Sequence, residues 1–323
     1  MNKGLLGAAS VAGLSAAILV GFTMTASAAE TKIITIDGSS TVFPISEAVA
    51  EEYQAANPNV RVTVGISGTG GGFKKFCRGE IDISDASRPI TGSEMTACKA
   101  AGVDYVELAV AFDALTVVIN PANTFAETLT VAQLKTMWEP AAEGKVTMWN
   151  QIDPSFPAEP LKLFGPGTDS GTFDYFTEAV NGKSKASRAD YTASEDDNTL
   201  VQGVAQEKGG IGYFGLAYYA ANADKLKAVK IDGGKGGVSP SKETVIDGTY
   251  NPLSRPIFIY VNAASLDKPE VRGYVDFYLD NAAKLSEEVG YIRLPAEAYS
   301  AGKEHVANKR VGTVFGGKNE VGV

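Results

Sequence analysis

Three residues in the middle of the chain, Ser170, Gly171 and Thr172, are of the types that bind an anion at the start of a helix. Apolar residues alternate over 161–163, as in a strand, and after a Gly-Pro-Gly break those of 173–180 recur at helical spacing. The first turn of such a helix has unpaired backbone N–H groups and the positive end of the helix dipole. With two hydroxyls added, these groups make an anion site that needs no lysine.

The same order of strand, hydroxyl-rich loop and helix occurs twice more, nearer the N-terminus. Apolar residues at 33–36 precede a loop and then a helix with Pro44 in its first turn, where proline is favoured. Valines alternate over 60–64, ahead of a glycine-rich loop and another helix. The repetition predicts that these loops converge on one ligand. The two loops span residues 37–43 and 66–72.

A fourth strand and loop, over residues 80–89, add charged groups to this set. The loop holds a carboxylate, Asp85, and a guanidinium, Arg88, together with hydroxyls. A carboxylate placed among donors suits an anion that brings its own proton, because the proton then lies between the two negative groups.

The composition excludes several classes of partner and chemistry. The chain of 323 residues has a formal net charge of −9, which argues against nucleic acid and anionic membranes as partners. Its single histidine, His305, lies in a polar segment near the C-terminus, so a Ser–His catalytic pair is not favoured. One histidine and two cysteines also make a poor transition-metal site. We therefore expect no metal, no cofactor and no catalytic residues.

The N-terminus has the features of a targeting signal. A positive start, an apolar run and Ala-Ser-Ala at 26–28 predict a signal peptide over residues 1–28, cleaved after Ala28. The alternative is a membrane anchor, since the apolar run is nearly long enough to span a bilayer. Because no cysteine follows the run, we expect an exported chain without a lipid anchor.

The two cysteines, Cys77 and Cys98, both lie in the exported part of the chain. An even number of cysteines in an oxidising compartment predicts one disulfide, which would brace the segment around Asp85. The alternative is a pair of buried free thiols.

Strands alternating with helices predict a mixed, mainly parallel α/β fold. The apolar run 105–121, interrupted at 111–114, and a second strand near Pro256 have the features of two connections between lobes. We therefore predict lobe 1 over 29–111 and 257–323, lobe 2 over 112–256, and a hinge of two strands. The glycine-rich stretch 232–241 is expected to be a surface loop.

Four segments, 38–44, 67–70, 84–86 and 169–172, resemble the motifs of the periplasmic phosphate-binding proteins of bacterial ABC uptake systems. They occur in that family's order, and the similarity covers nearly all of the mature chain. The resemblance implies the two-lobed fold of periplasmic solute receptors. It also implies that Asp85 accepts a proton from bound phosphate. The implied donors are Ser40, Thr41 and Val42 in the first loop, Ser67 with Thr69 in the second, and Ser170, Gly171 and Thr172 in the third.

One position departs from the family. Many relatives have an arginine four residues before the serine of the third loop, where this chain has Pro166. Arg88 is the nearest local substitute, either as a phosphate ligand or as a partner of Asp85. Arg255, beside the predicted hinge, is a weaker candidate.

The sequence thus predicts a periplasmic receptor that binds inorganic phosphate and, by cleft closure, delivers it to the permease of an ABC importer in the inner membrane. We expect a monomer that binds no nucleic acid. The alternatives are a receptor for another tetrahedral oxyanion such as arsenate, a secreted phosphate-scavenging hydrolase, or a surface protein with this fold and no role in transport.

Overall fold

The computed structural model describes residues 31–168, 170–194 and 196–317. The predicted signal peptide and Asp169 of the third loop lie outside these residues. The strands, in chain order, are β1 (Lys32–Gly38), β2 (Val60–Ile66), β3 (Ile83–Ala86), β4 (Tyr105–Ile119), β5 (Thr128–Thr130), β6 (Lys162–Gly165), β7 (Thr192–Ala193), β8 (Gly210–Gly215), β9 (Lys227–Ala228), β10 (Lys230–Asp232), β11 (Gly237–Val238) and β12 (Ser254–Asn262).

The helices follow the strands closely, as the alternating pattern predicts. They are α1 (Phe43–Ala56), α2 (Thr69–Phe76), α3 (Gly92–Ala100), α4 (Val131–Trp138), α5 (Gly171–Asn181), α6 (Asp197–Gln206), α7 (Leu216–Ala221), α8 (Lys242–Ile246), α9 (Pro269–Glu288) and α10 (Ala296–Ala307). Within the described ranges, none of these helices has the length and apolar character needed to cross a membrane.

The first three strands explain why the hydroxyl-rich loops meet. β1 lies between β2 and β3 and pairs with both in parallel, so the carboxyl ends of all three strands lie at one edge of the sheet. Ligands of open α/β sheets bind in the crevice outside this edge. The loops that follow β1, β2 and β3 all begin there.

Two long strands, β12 and β4, extend this sheet, and β4 continues into a second one. β12 lies between β3 and β4 and is antiparallel to both, and the second half of β4 pairs with β8. The second sheet is completed by β6 and β7, which run parallel to β8. The predicted break in β4 at 111–114 is wrong: the strand runs without interruption because β12 pairs beside it, and the irregularity falls in β12 between Ile257 and Phe258.

Each sheet has its own apolar core. One core contains Val49 of α1, Ile259 of β12 and Tyr274 of α9, all fully buried. The other contains Trp138 of α4, and in it the ring of Phe176 stacks on that of Tyr213 at 3.7 Å. The predicted mixed α/β class is confirmed by these sheets and their helices. The predicted lobe bounds, 29–111 with 257–323 and 112–256, stay predictions.

The predicted disulfide is present between Cys77 and Cys98. It joins the C-terminal end of α2 to α3 and so braces the segment that contains β3, as expected. The stretch 232–241 is not only a loop, because β10 and β11 pair there as a short antiparallel ladder. The loop prediction holds for the exposed residues 233–236 and misses this ladder, because strands of two and three residues leave no alternating apolar pattern to detect.

Candidate anion-binding site

A cavity of about 260 Å³ lies at the carboxyl edge of the first sheet. Part of its lining comes from the loops after β1, β2 and β3, and part from α5, the loop after it, and the start of β12. The lining residues are Ser39, Ser40, Thr41, Gly68, Thr69, Gly70, Ser87, Arg88, Asp174, Tyr175, Glu178, Ser184, Lys185 and Arg255.

The loop after β1 holds its donors in place through its own hydrogen bonds. The Ser39 amide donates to the carbonyl of Asp85 at 3.0 Å, and the Thr41 amide donates to the Ser39 hydroxyl at 3.2 Å. The amides of Ser40 and Val42 have no hydrogen-bond partner among the described residues, and Ser40 lines the cavity. Val42 is fully buried and does not line the cavity, so a contact between its amide and a ligand stays a prediction.

The loop after β2 presents Thr69 rather than Ser67 to the cavity. The Thr69 hydroxyl contacts the Ser87 hydroxyl at 3.0 Å and accepts a hydrogen bond from the Ser87 amide at 3.1 Å. The Ser67 hydroxyl instead donates to Asp37, which also forms an ion pair with Lys75 at 2.6 Å. Ser67 does not line the cavity, and its predicted role as a ligand stays a prediction.

The third predicted loop meets the first. The Ser170 hydroxyl accepts a hydrogen bond from the Thr172 amide at 3.2 Å and so caps α5. A Cβ atom added to Gly171 would lie 2.5 Å from the Thr41 hydroxyl oxygen and 2.9 Å from the Thr41 amide nitrogen. Only glycine permits this approach. The first turn of α5 therefore abuts the first loop, and α5 reaches the cavity through Asp174, Tyr175 and Glu178.

Asp85 lies behind the first loop and does not line the cavity. Its side chain is fully buried; one carboxyl oxygen accepts a hydrogen bond from the Ser46 hydroxyl at 2.9 Å, and the other has no partner among the described residues. Burial raises the pKa of Asp85 to about 8, and the nearby charge of Asp37 adds to the effect. The carboxyl group is therefore mostly protonated at neutral pH.

Arg88 reaches the cavity but is already well paired. Its guanidinium makes two hydrogen bonds to Glu94, both of 2.9 Å, and lies over the ring of Phe73 at 5.8 Å. Glu94 also accepts a hydrogen bond from the Thr91 amide in the capping box of α3. The structure thus gives Arg88 a bidentate partner, and a direct contact between Arg88 and an anion stays a prediction.

Arg255 is the second arginine of the cavity. It is 3% exposed, lies opposite Asp113 of β4 in the pairing of β12, and stacks over the ring of Tyr175 at 3.5 Å. Its guanidinium nitrogens lie 3.6 Å from Asp113 and 3.6 Å from Glu178, beyond good hydrogen-bond distance. Its Nε atom is buried without a partner among the described residues.

The charged residues of α5 were missed by sequence reasoning. Asp174 and Glu178 are four positions apart, so they share one face of the helix. Lys185 lies 3.7 Å from Asp174, and burial raises the pKa of Asp174. The only sequence signal was this spacing, which also fits a solvated helix face.

Comparisons with known proteins identify the family of this chain. Residues 23–282 match the family model described as a PBP superfamily domain. The chain is 54% identical to the protein SphX of Synechococcus elongatus over 302 residues, which cover 93% of this chain and 89% of that protein. It is 40% identical to the phosphate-binding protein PstS of Staphylococcus saprophyticus over 267 residues, which cover 82% of this chain and 81% of that protein.

A solved structure shows the same fold. The crystal structure of a possible phosphate binding protein from Planctomyces limnophilus superposes on this chain with a TM-score of 0.82 at 54% sequence identity. The superposition covers 86% of this chain and all but 1% of the other.

Proposed function

Because the chain belongs to the PBP superfamily, in the family of SphX and of the phosphate-binding protein PstS, we propose that it is an exported receptor for inorganic phosphate. One observation supports this most directly. Three strand–helix junctions bring backbone amides and hydroxyls to one edge of a sheet, around a cavity of about 260 Å³. Neutral donors of this kind hold an anion without a strongly positive field.

The phosphate ion would lie against the first two loops and at the N-terminus of α2. The amides of Ser40 and Val42 and the hydroxyls of Thr41 and Thr69 would then replace the water around the anion. The first turn of α5 would close over it from the other side, because Gly171 already abuts Thr41. A ligand that completes its donor set only when both sides meet stabilises the closed form.

Asp85 would distinguish phosphate from sulfate. Phosphate carries a proton near neutral pH, whereas sulfate carries none. We propose that Asp85 accepts a hydrogen bond from the proton of a phosphate ion bound against the first loop. One of its carboxyl oxygens has no other partner among the described residues. The ionised form of Asp85 would face oxygen lone pairs of sulfate, an arrangement that costs several kcal/mol when it is buried. Because burial raises the pKa of Asp85 to about 8, the discrimination against sulfate should strengthen as the pH rises through this value.

The closed receptor would deliver phosphate to the permease of an ABC importer. In this proposal residues 1–28 are removed on export, and the protein acts in the periplasm as a monomer that binds no nucleic acid. Two lobes, 29–111 with 257–323 and 112–256, would move about the crossing strands β4 and β12. The proposal includes no catalytic step, so the purified protein should not hydrolyse phosphomonoesters.

Calorimetric titration with phosphate and with sulfate near pH 7 tests the proposal. The protein should bind phosphate tightly and ignore sulfate, and Asp85→Asn should lose phosphate affinity and gain affinity for sulfate. Asp82→Asn is a matched control, because Asp82 is also buried but lies away from the cavity, bonded to Ser265 and Lys268. If neither anion binds, or if the wild-type protein binds both equally, the proposal is wrong. A titration with arsenate tests the alternative that the protein is a receptor for another tetrahedral oxyanion.

A further inference from the structure

Arg255 lines the cavity, but the hydrogen bonds of the donor loops give it no partner and no role. Three cations line the cavity: Arg88, Lys185 and Arg255. Arg88 is satisfied by its bidentate pair with Glu94, and the Lys185 side chain is 61% exposed. Arg255 alone among these three is almost fully buried and keeps a buried N–H group without a partner among the described residues.

The contacts of Arg255 are too long to satisfy a buried guanidinium. Its two carboxylate neighbours, Asp113 and Glu178, each lie 3.6 Å away. An unpartnered polar group in the protein interior costs about 1–3 kcal/mol, and more when it is charged. Such a group is normally satisfied in the working state of the protein, and a planar fork of N–H donors fits a tetrahedral oxyanion well.

The surroundings of Arg255 hold the fork in one orientation. The guanidinium lies 3.5 Å from the centre of the Tyr175 ring, whose hydroxyl is fixed by a hydrogen bond of 2.8 Å to the carbonyl of Pro252. A cation stacked on an aromatic ring keeps its edge free for other partners. The donor edge of Arg255 is therefore oriented before any ligand arrives.

We propose that Arg255 is the arginine that binds the anion in this chain, which has Pro166 where the resemblance implies an arginine. The inference rests on the proposed function and names the source of positive charge at the same site. Because Arg255 is on β12 and faces both Asp113 of β4 and Glu178 of α5, the ligand competes with these carboxylates for one guanidinium. Binding is thereby linked to the two crossing strands.

Phosphate titrations of three single variants test this assignment. Arg255→Lys keeps the charge but loses the fork, so the dissociation constant should rise roughly 10- to 100-fold. Glu178→Gln removes a competing negative charge, so phosphate should bind several-fold more tightly. Arg188→Lys is the control: Arg188 is also 3% exposed, but it pairs with Asp190 at 2.5 and 2.7 Å and does not line the cavity.

The outcomes separate this inference from the function on which it rests. If the wild-type protein binds no phosphate, both are wrong. If it binds phosphate but folded Arg255→Lys binds within about threefold of it, only the assignment of Arg255 is wrong. A structural role alone would lower the melting temperature of Arg255→Lys and of Arg188→Lys and leave both affinities unchanged. Should Arg255→Lys fail to fold, Glu178→Gln decides, and an unchanged affinity overturns the assignment.

Discussion

The two sides of the cavity are built on different physical principles. The donor wall, defined by residues 39–41, 68–70 and 87–88, presents neutral hydroxyls and amides, and its arginine is paired at 2.9 Å with Glu94. The charged wall is defined by residues 174–178, 184–185 and 255. Its cations Lys185 and Arg255 lie 3.6 to 3.7 Å from the neighbouring carboxylates. The hydroxyls of Thr69 and Ser87 and the arginine of the donor wall already have protein partners, whereas in the charged wall the buried Nε atom of Arg255 has none among the described residues.

This difference assigns the two walls different tasks. A site whose donors are already fixed loses little conformational entropy on binding, and this preorganisation favours affinity. A wall with loosely paired charges gains more from an arriving anion, so its energy changes most between the open and closed forms. We therefore expect the donor wall to set which anion binds, and the charged wall to set how strongly the ligand favours closure.

The largest expected effect is the dependence of stability on pH that arises from Asp85, the carboxyl group behind the donor wall. Since the pKa of Asp85 is raised to about 8 by burial, the folded protein keeps a proton that the unfolded chain releases above about pH 4. The proton on Asp85 therefore adds its full contribution to the free energy of unfolding below pH 4, and this contribution is lost as the pH rises towards 8. The free energy of unfolding should fall by at most about 1.4 kcal/mol per pH unit on this account.

Urea denaturation of Asp85→Asn between pH 5 and pH 8 measures this contribution. The variant should show a flatter dependence of stability on pH than the wild-type protein. Asp174→Asn on the charged wall is the comparison: the Asp174 side chain is 29% exposed and near Lys185, so the slope should change much less. Equal slopes in wild-type and Asp85→Asn would show that Asp85 is ionised in the folded protein.

A smaller but still large effect is expected where α5 meets the donor wall. Gly171→Ala would place a methyl group 2.9 Å from the backbone nitrogen of Thr41, which cannot move away as easily as a side chain. The approach of α5 should be blocked, and phosphate affinity should fall about 100-fold, or roughly 2.7 kcal/mol. Calorimetry would give the affinity, and thermal unfolding should show little change.

Gly215→Ala is the matched substitution for this test. Gly215 precedes α7 and has open space around its Cβ position, so affinity should be unaffected. Equal affinities for Gly171→Ala and wild-type protein would contradict the idea that binding requires α5 to contact the donor wall.

The smallest expected effect is at Arg88. Arg88→Lys replaces two hydrogen bonds to Glu94 with at most one, so the free energy of unfolding should drop by about 1–2 kcal/mol. Phosphate affinity should change only a few-fold, because Arg88 acts through the order of its loop. Calorimetry and thermal unfolding measure the two quantities. A loss of affinity as large as that expected of Arg255→Lys would restore Arg88 as the anion ligand.

Sequence reasoning predicted the donor wall better than the charged wall, for a physical reason. The donor wall arises from local order, in which a strand, a short polar loop and a helix follow directly along the chain. Its residues Ser40, Thr41 and Thr69 were found in this way, and they line the cavity. Ser67 lies in the same kind of loop, but its hydroxyl donates to Asp37 of β1, a contact between distant segments that no local pattern reveals.

The sequence by itself determined the α/β class, the strand–loop–helix junctions and the disulfide, because hydrophobic periodicity, turn residues and an even number of cysteines are local or compositional signals. Only the tertiary structure decided that β4 is continuous, that Asp85 is buried behind the first loop, and that Arg255 faces Glu178. These features depend on contacts between segments far apart in the chain, where burial and distance, rather than residue type, determine what a charged group can do.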